Sequence, residues 1–432
     1  MTPHAALLAT PGPCALFEST TPPGSLSRLS LLARQPRAVF VQRDGQMVLV
    51  TADGVHHPTG NPWTVLRELL SEIPPGNWPD EGGLACVLAY DLARPGRNEA
   101  GAPLLMALAV DRFLVFEGEE LLSGEHSPPR SLPAIPGASS SPAPGRDTFP
   151  VGAIDLPAWS SYEREHYRRL VGRVKEHIAA GDIYQANLSQ RFRLPWPKDG
   201  LSLYGHLRRL SPAPFSGYFR AAGLEIVSAS PERLLRVEDG CASTRPIAGT
   251  RPRSSDPSRD QALARELLLS EKERAEHLML VDLARNDLGK VAALGSVAVD
   301  ELMVVEDYSH VRHIVSNVSA RLAPGRDALD ALLALFPGGT ITGVPKRRCM
   351  EILDELEEVP RGFYTGSLFY LTTSGILDAN ILIRSAVVTE GCVTFHTGGG
   401  IVADSDPDRE YEETLHKAEG LRVALQAAFA DD

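Results

Sequence analysis

The sequence predicts an α+β protein. Three observations carry that class: strand-like and helix-like segments are interspersed without a regular strand–helix–strand beat, no repeat of fixed period runs through the chain, and a β-rich first part precedes a mixed one. The 432 residues, 43% of them hydrophobic, can bury one large core or two moderate ones.

The first part reads as strands. "AVFVQRDGQMVLV" (38–50) predicts a hairpin turning at Asp44-Gly45, "LACVLAYDL" (84–92) a buried strand, and "LLMALAVDRFLVFE" (104–117) one longer β segment. Residues 126–150, dense in Pro, Ser and Gly, cannot bury enough apolar surface to offset their ordering entropy and read as a flexible linker. The division is therefore a β-rich subdomain at 1–125, a linker at 126–150 and a second domain at 151–432. In that domain Ser160 and Glu163 suggest a capping box, before Tyr167, Leu170, Val171, Val174 and Ile178 at helical spacing and a stop at Gly181. "DIYQANLSQRFRL" (182–194) reads as a strand, "LEIVSASPERLLRVEDG" (224–240) as two strands broken at Pro231, and 260–291 as one long helix or two joined ones. Residues 375–402 read as strands turning at Glu390-Gly391, and 408–429 as a final amphipathic helix.

Charge and cysteine usage narrow the function classes. With 43 basic against 55 acidic side chains and no long basic run, an extended nucleic-acid footprint is not expected. Cys14, Cys86, Cys241, Cys349 and Cys392 are scattered without CxxC spacing, which suits reduced thiols in cytoplasm better than zinc or disulfides. No stretch has the length and continuity of a membrane span, and the N-terminus lacks the marks of a signal peptide.

Several constellations can carry chemistry. Glu273 and Glu276 share one helix face, and Glu410, Glu412 and Glu413 crowd the final helix. Carboxylates from two helices can meet at a hard divalent cation, or simply be solvated. "FPGGTITGVPKRRCMEILDELEE" (336–358) runs a Gly/Thr loop through Pro345 into a helix, a receptor for an anion or a structural turn, and it is not a Walker A loop. Gly398, Gly399 and Gly400 permit close approach of backbone to a ligand, or a tight turn. Glu232 in "SASPERL" is a candidate general acid or a paired surface glutamate, and His313 a candidate substrate contact or a satisfied strand histidine. "TRPIAGTRPR" (244–253), with three arginines, is a loop for an anionic small molecule or a solvated one.

Together "DIYQANLSQRF", "SASPERLL", "TRPIAGTRPR", "SEKERAEHLMLVDLARNDLGKV", "FPGGTITGVPKRRCMEILDELE", "ILDANILIRSAV" and "HTGGGIVADSDPDREYEETLHKA" closely resemble the chorismate-utilising enzymes, in order and spacing, over about 155–425. The resemblance implies two packed β-sheets flanked by outer helices, with the first 125 residues completing the sheets, and Mg²⁺ bound with chorismate between acidic helices. It implies Glu276 and Glu413 as metal ligands, Glu273 and Glu410 as partners through water, Glu232 as general acid for the leaving C4 hydroxyl and His313 beside that hydroxyl. Thr342, Tyr370, Arg384, Gly398, Gly399 and Lys417 match positions around the substrate carboxylates, and Thr250 lies near substrate.

Gln185 stands where the water-using branches carry a basic lysine. A neutral amide cannot be that base but can hold ammonia, so the ammonia-using branches are implied. No Gly-x-Cys-x-Gly nucleophile context is present, which implies a separate glutamine amidotransferase subunit as the ammonia source. "YQANLSQRF" and "SPAPFSGYF" look like the aminodeoxychorismate synthase group, so amination at C4 on the folate path is the expectation. Anthranilate synthase, attacking at C2 and releasing pyruvate, is the alternative, and a silent chorismate-binding paralogue the second. "FEST" (17–20) is a partial likeness to the Leu-Leu-Glu-Ser element of tryptophan sites. Ala248 departs from the Pro-Ile-Lys-Gly-Thr form often seen in aminodeoxychorismate synthases, whose lysine is assigned as a nucleophile. With alanine there, direct attack by ammonia is expected.

Overall fold

A computed structural model describes all residues except 1, 22–28, 95, 124–131, 135–153, 255, 308–310 and 432; the side chains of Thr250 and Val311 also lie outside the description. The linker read at 126–150 therefore falls outside the described residues, save 132–134.

Two large antiparallel sheets form the middle, as the α+β reading predicts. In the first, of ten strands, Gln185–Pro195 lies between Gly343–Val344 and Cys392–Ile401; beyond these come Ser385–Thr389, Leu224–Ser230, Phe215–Ala221, Cys14–Glu18 and Leu29–Arg34. In the second, of twelve, Ile247–Pro252 pairs with Val311–Arg321, and Arg233–Glu238, Leu377–Asn380, Ser367–Thr372, Gly83–Leu88, Pro103–Val110 and Ala38–Arg43 follow further across. Strands from either side of the linker pair in both sheets: Cys14–Glu18 with Phe215–Ala221, and Gly83–Leu88 with Ser367–Thr372. The 1–125 and 151–432 segments thus share their sheets.

The core follows from this layering. Ala85, Val87, Leu104, Leu108, Phe219 and Ile226 fill the space between the sheets. Helices Pro62–Ser71 and Ala328–Leu335 cover the second sheet through Leu66, Leu69, Leu329 and Leu332; Gly200–Leu210 and Pro407–Ala430 cover the first through Leu203, Tyr204, Leu421 and Leu425. Each such buried side chain contributes about 1.5–3 kcal/mol.

Two readings of local structure change, and one that was open, the helix or joined pair at 260–291, is decided. Residues 104–117 are two strands, not one. Pro103–Val110 belongs to the second sheet and Leu114–Glu117 to the first, because the chain crosses between sheets at Asp111-Arg112. Residues 257–289 are two helices meeting at Ser270, whose hydroxyl accepts from Glu273 N–H at 3.3 Å and caps the second. The Ser160–Glu163 capping box is absent: Glu163 is the N-cap of Arg164–Ala179 without a side-chain cap bond, and Ser160 instead bonds Gln190 and accepts from Tyr162 N–H. The tertiary partner outcompetes the local cap.

Candidate active site

Two crossings between the sheets build one corner of the site. The chain leaves the first sheet at Ser230, passes Pro231 and Glu232 and enters the second; it returns through Ile381–Arg384. These crossings bind each other. Ile381 N–H donates to Glu232 O at 3.0 Å, Ala229 N–H to Arg384 O at 3.2 Å, and Ser230 Oγ–H to Ile381 O at 2.6 Å. Glu232 is buried in a cavity of about 30 Å³, where Thr340 Oγ donates to its Oε1 at 2.7 Å. Burial raises the Glu232 carboxyl to about 7, against the opposing pull of Thr340, so much of it stays protonated at neutral pH. Arg384 has φ 51° and is exposed, with no hydrogen bond or ion pair of its side chain among the described residues. The protein crowding it still lowers its pKa by desolvation.

A bulge places the histidine. Ile247–Pro252 pairs with Val311–Arg321 so that Ala248 faces Ile314 and Thr250 faces His313, leaving Gly249 extra between them. Gly249 has φ 64°, and a Cβ there would stand 2.9 Å from Glu273 Oε2, so only glycine fits. The Gly249 carbonyl lies 3.1 Å from His313 Nδ1. A carbonyl only accepts, so Nδ1 carries the proton and Nε2 is the acceptor. Burial, with Arg384 nearby, lowers the His313 pKa and keeps the ring neutral.

Carboxylates converge from two helices. Glu273 and Glu276 lie on Glu271–Gly289, Glu410 and Glu413 on Pro407–Ala430. Burial first, then Glu273 and Glu413, raises the Glu276 pKa; burial first, then Glu413, raises that of Glu410. Such mutual repulsion is what a cation relieves. Arg251 lies 3.2 Å from Glu273, and Lys417 2.7 Å from Glu413. No group of three or more His, Cys, Asp or Glu among the described residues could hold a metal as it stands.

The glycine run lets these parts meet. A Cβ at Gly399 would stand 3.1 Å from Glu410 Oε2, and one at Gly400 2.3 Å from Gln185 Nε2. Lys417 Nζ donates to Gly398 O at 3.0 Å. Gln185 Nε2 donates to Glu276 Oε1 at 2.9 Å, while Gln185 Oε1 is buried without a hydrogen-bond partner among the described residues. Replacing Gly400 by alanine is expected to push the Gln185 amide off Glu276, lowering ammonia-dependent turnover about 10- to 100-fold. Far less change in thermal unfolding is expected, since the obstructed atom ends a side chain. Unchanged turnover would show that the Gln185–Glu276 contact is idle.

The structure thus gathers Glu232 with Thr340, His313 with Gly249 and Arg384, and Gln185 with Glu276 and the glycines. It corrects two expected contacts. Thr342 is fully buried and spends its hydroxyl on Gly338 O at 2.9 Å. Tyr370 faces a different cavity, of about 430 Å³, where it stacks on Trp78 and neighbours Phe17, Arg236 and Asp378. Two neighbours in sequence stand at the site instead. Thr340 reaches Glu232, and Tyr364 has its hydroxyl 2.9 Å from where a Gly398 Cβ would be. The loop with Thr340 was visible in sequence, though not which of its threonines points inward; the stretch that carries Tyr364 lies between the motifs read there. Thr250 holds its backbone register opposite His313, and its side chain is outside the description.

With fold and site laid out, the comparison with known proteins is decisive at family level. The chain belongs to the chorismate binding enzyme family, which matches residues 12–422. It is 39% identical to anthranilate synthase component 1 of Thermus thermophilus over 98% of this chain and 94% of that protein. It is 50% identical over 266 residues to an anthranilate synthase component I-like protein of Synechocystis, a match spanning 61% of this chain and about half, 55%, of that relative. The crystal structure of anthranilate synthase component I from Streptococcus pneumoniae superposes with TM-score 0.78 at 29% identity, covering 93% of each chain. Among the described residues no helix is long and apolar enough to cross a membrane.

Proposed function

We propose that this chain is the synthase component of an anthranilate synthase, converting chorismate and ammonia to anthranilate, pyruvate and water. The observation that carries the ammonia chemistry is Gln185: a buried amide, tied to Glu276 through Nε2, whose unpartnered Oε1 can accept an N–H of ammonia but cannot deprotonate water. Amination at C2 is supported by the full-length relatives named anthranilate synthase component 1 and by Ala248, which offers no nucleophile for a covalent route. This reverses the order of the two products expected from sequence.

In the proposed chemistry ammonia forms a bond to ring C2, both ring double bonds shift, from C1=C2 and C5=C6 to C1=C6 and C4=C5, and the C4 hydroxyl leaves as water after taking a proton from Glu232. Loss of the C2 proton and of the enolpyruvyl group then yields anthranilate and pyruvate. Thr340 fixes the Glu232 carboxyl, Arg384 and Tyr364 receive a substrate carboxylate, and neutral His313 accepts a hydrogen bond through Nε2. Mg²⁺ fits the donor set, since it commonly takes one or two carboxylates and fills its shell with water and substrate. Glu276 and Glu413 would hold it, with Glu273 and Glu410 through water, and it would neutralise the ring carboxylate. Ammonia would come from a glutamine amidotransferase subunit.

The second reading, amination at C4 to aminodeoxychorismate, is favoured by "SPAPFSGYF", which looks like that group. Incubation with chorismate, Mg²⁺ and ammonium at alkaline pH, followed by chromatography, separates the two. Anthranilate with equimolar pyruvate is expected; aminodeoxychorismate would establish the second reading, isochorismate would sink the role of Gln185, and unchanged chorismate would favour a silent paralogue.

A further inference from the structure

One buried amide on the site's face of the first sheet is not used by the chemistry described so far. Side chains alternate along Gln185–Pro195: Ala186 and Leu188 pack among the helices with Val171 and Ile352, so Gln185, Asn187 and Ser189 share the opposite face. The residues paired with Asn187 and Ser189 are Gly400 and Gly398. Neither glycine puts a side chain on that face, and two other groups reach over it. A Cβ at Gly400 would meet Gln185 Nε2, and one at Gly398 would meet the Tyr364 hydroxyl. Asn187 stands between these two contacts.

Its backbone is pinned, but its side chain is not spent. Asn187 N–H donates to Thr342 O at 3.0 Å, and its carbonyl accepts from Arg361, which Glu357 holds at 2.7 Å. The residue is 7% exposed, and its side chain neighbours Tyr364. Burial raises the Tyr364 hydroxyl to about 12, while Arg361 and then the Asn187 amide pull it down. Asn187 Nδ2 is nonetheless buried and closes no hydrogen bond of normal geometry among the described residues. It carries two N–H donors, of which a neighbouring hydroxyl can take at most one. A buried donor left unpaired is costly, so it marks a place for an acceptor that the fold does not supply.

Tyr364 stays protonated at neutral pH and offers its own O–H beside that amide. His396 stacks on its ring with centroids 5.2 Å apart and fixes where the hydroxyl stands. Two neutral donors side by side match the two oxygens of a carboxylate. We infer that Asn187 binds substrate directly, its Nδ2 donating to the carboxylate that Tyr364 receives, an inference that rests on the chorismate reading above. Gln185, two residues along, meets ammonia, so one strand holds both reactants.

Isothermal titration of chorismate into the full chain, with Mg²⁺ and without ammonium, reads binding apart from the amine product. Asn187→Val should weaken binding at least tenfold. Asn187→Asp should weaken it further at pH 8, because a second carboxylate then faces the first. Without chorismate, Asn187→Val should unfold at an equal or higher temperature, since it removes a buried donor that the fold does not pair. Asn187→Val binding within threefold of the wild type, Asn187→Asp binding as tightly as the wild type, or Asn187→Val losing heat stability together with affinity would each overturn the inference and leave the chorismate reading standing. A wild type that does not bind chorismate would overturn both.

Discussion

Glu232→Gln should lower turnover about 10²- to 10⁴-fold with little change in KM, the range of a lost general acid. The amide keeps the shape and still accepts from Thr340, but has no proton to give the departing hydroxyl. Two pH dependences accompany this. In the wild type activity should fall on the alkaline side, as pH rises through about 7 where the buried carboxyl ionises, and the variant should lack that limb. The same shift acts on stability with a definite sign. A carboxyl raised from 4.5 to about 7 is protonated in the folded protein while the unfolded chain is already ionised, so stability is fully present below pH 4.5 and is lost as pH rises toward 7. The loss amounts to about 3 kcal/mol. The variant should therefore be more heat-stable than the wild type at pH 8 yet nearly inactive. A variant equally inactive but less stable at pH 8 would show that Glu232 is structural.

Glu276→Gln should lower kcat/KM by about 10³-fold or more, because a metal that polarises substrate oxygens contributes several kcal/mol and each 1.36 kcal/mol is tenfold. Chelation of the wild type should produce the same loss, and added Mg²⁺ should rescue the wild type only. The physical reason is charge. Glu276, Glu273, Glu410 and Glu413 repel one another, and Glu276 is partly buried, so the dianionic substrate cannot join them without a cation. Removing one carboxylate relieves repulsion in the empty protein but weakens the cation's hold. The variant should thus unfold at an equal or higher temperature without Mg²⁺, and gain less than the wild type when Mg²⁺ is added. Full activity in Glu276→Gln would remove this glutamate from the metal assignment.

Much of the site was legible because its chemistry is local. A general acid needs a carboxyl, metal ligands need acidic residues one helix face apart, and backbone contact needs glycine, so Glu232, Glu273, Glu276, Glu410, Glu413 and the Gly398–Gly400 run stood out. Orientation was not legible. Thr340 and Thr342 lie in one loop, and only packing decides that the first reaches Glu232 while the second turns back on Gly338. Tyr364 and Tyr370 flank one segment, yet the strand Ser367–Thr372 carries Tyr370 into a cavity with Trp78, away from the substrate region. The product order changed for a related reason. Attack at C2 or C4 depends on where ammonia sits relative to the ring, and no motif states that position.

By itself the sequence determined the α+β class, through periodicity, and the chorismate binding enzyme family, through motifs whose residue types and order lie within short stretches. Only the tertiary structure decided that residues on both sides of the linker share two sheets, and that the crossing at Glu232 bonds the one at Ile381 where the chain passes between them. Only it revealed that Asn187 shares the open face of the first sheet with Gln185 and the Tyr364 hydroxyl. Strand register and crossing points arise from contacts between residues hundreds of positions apart, and those contacts leave no mark on any one short stretch.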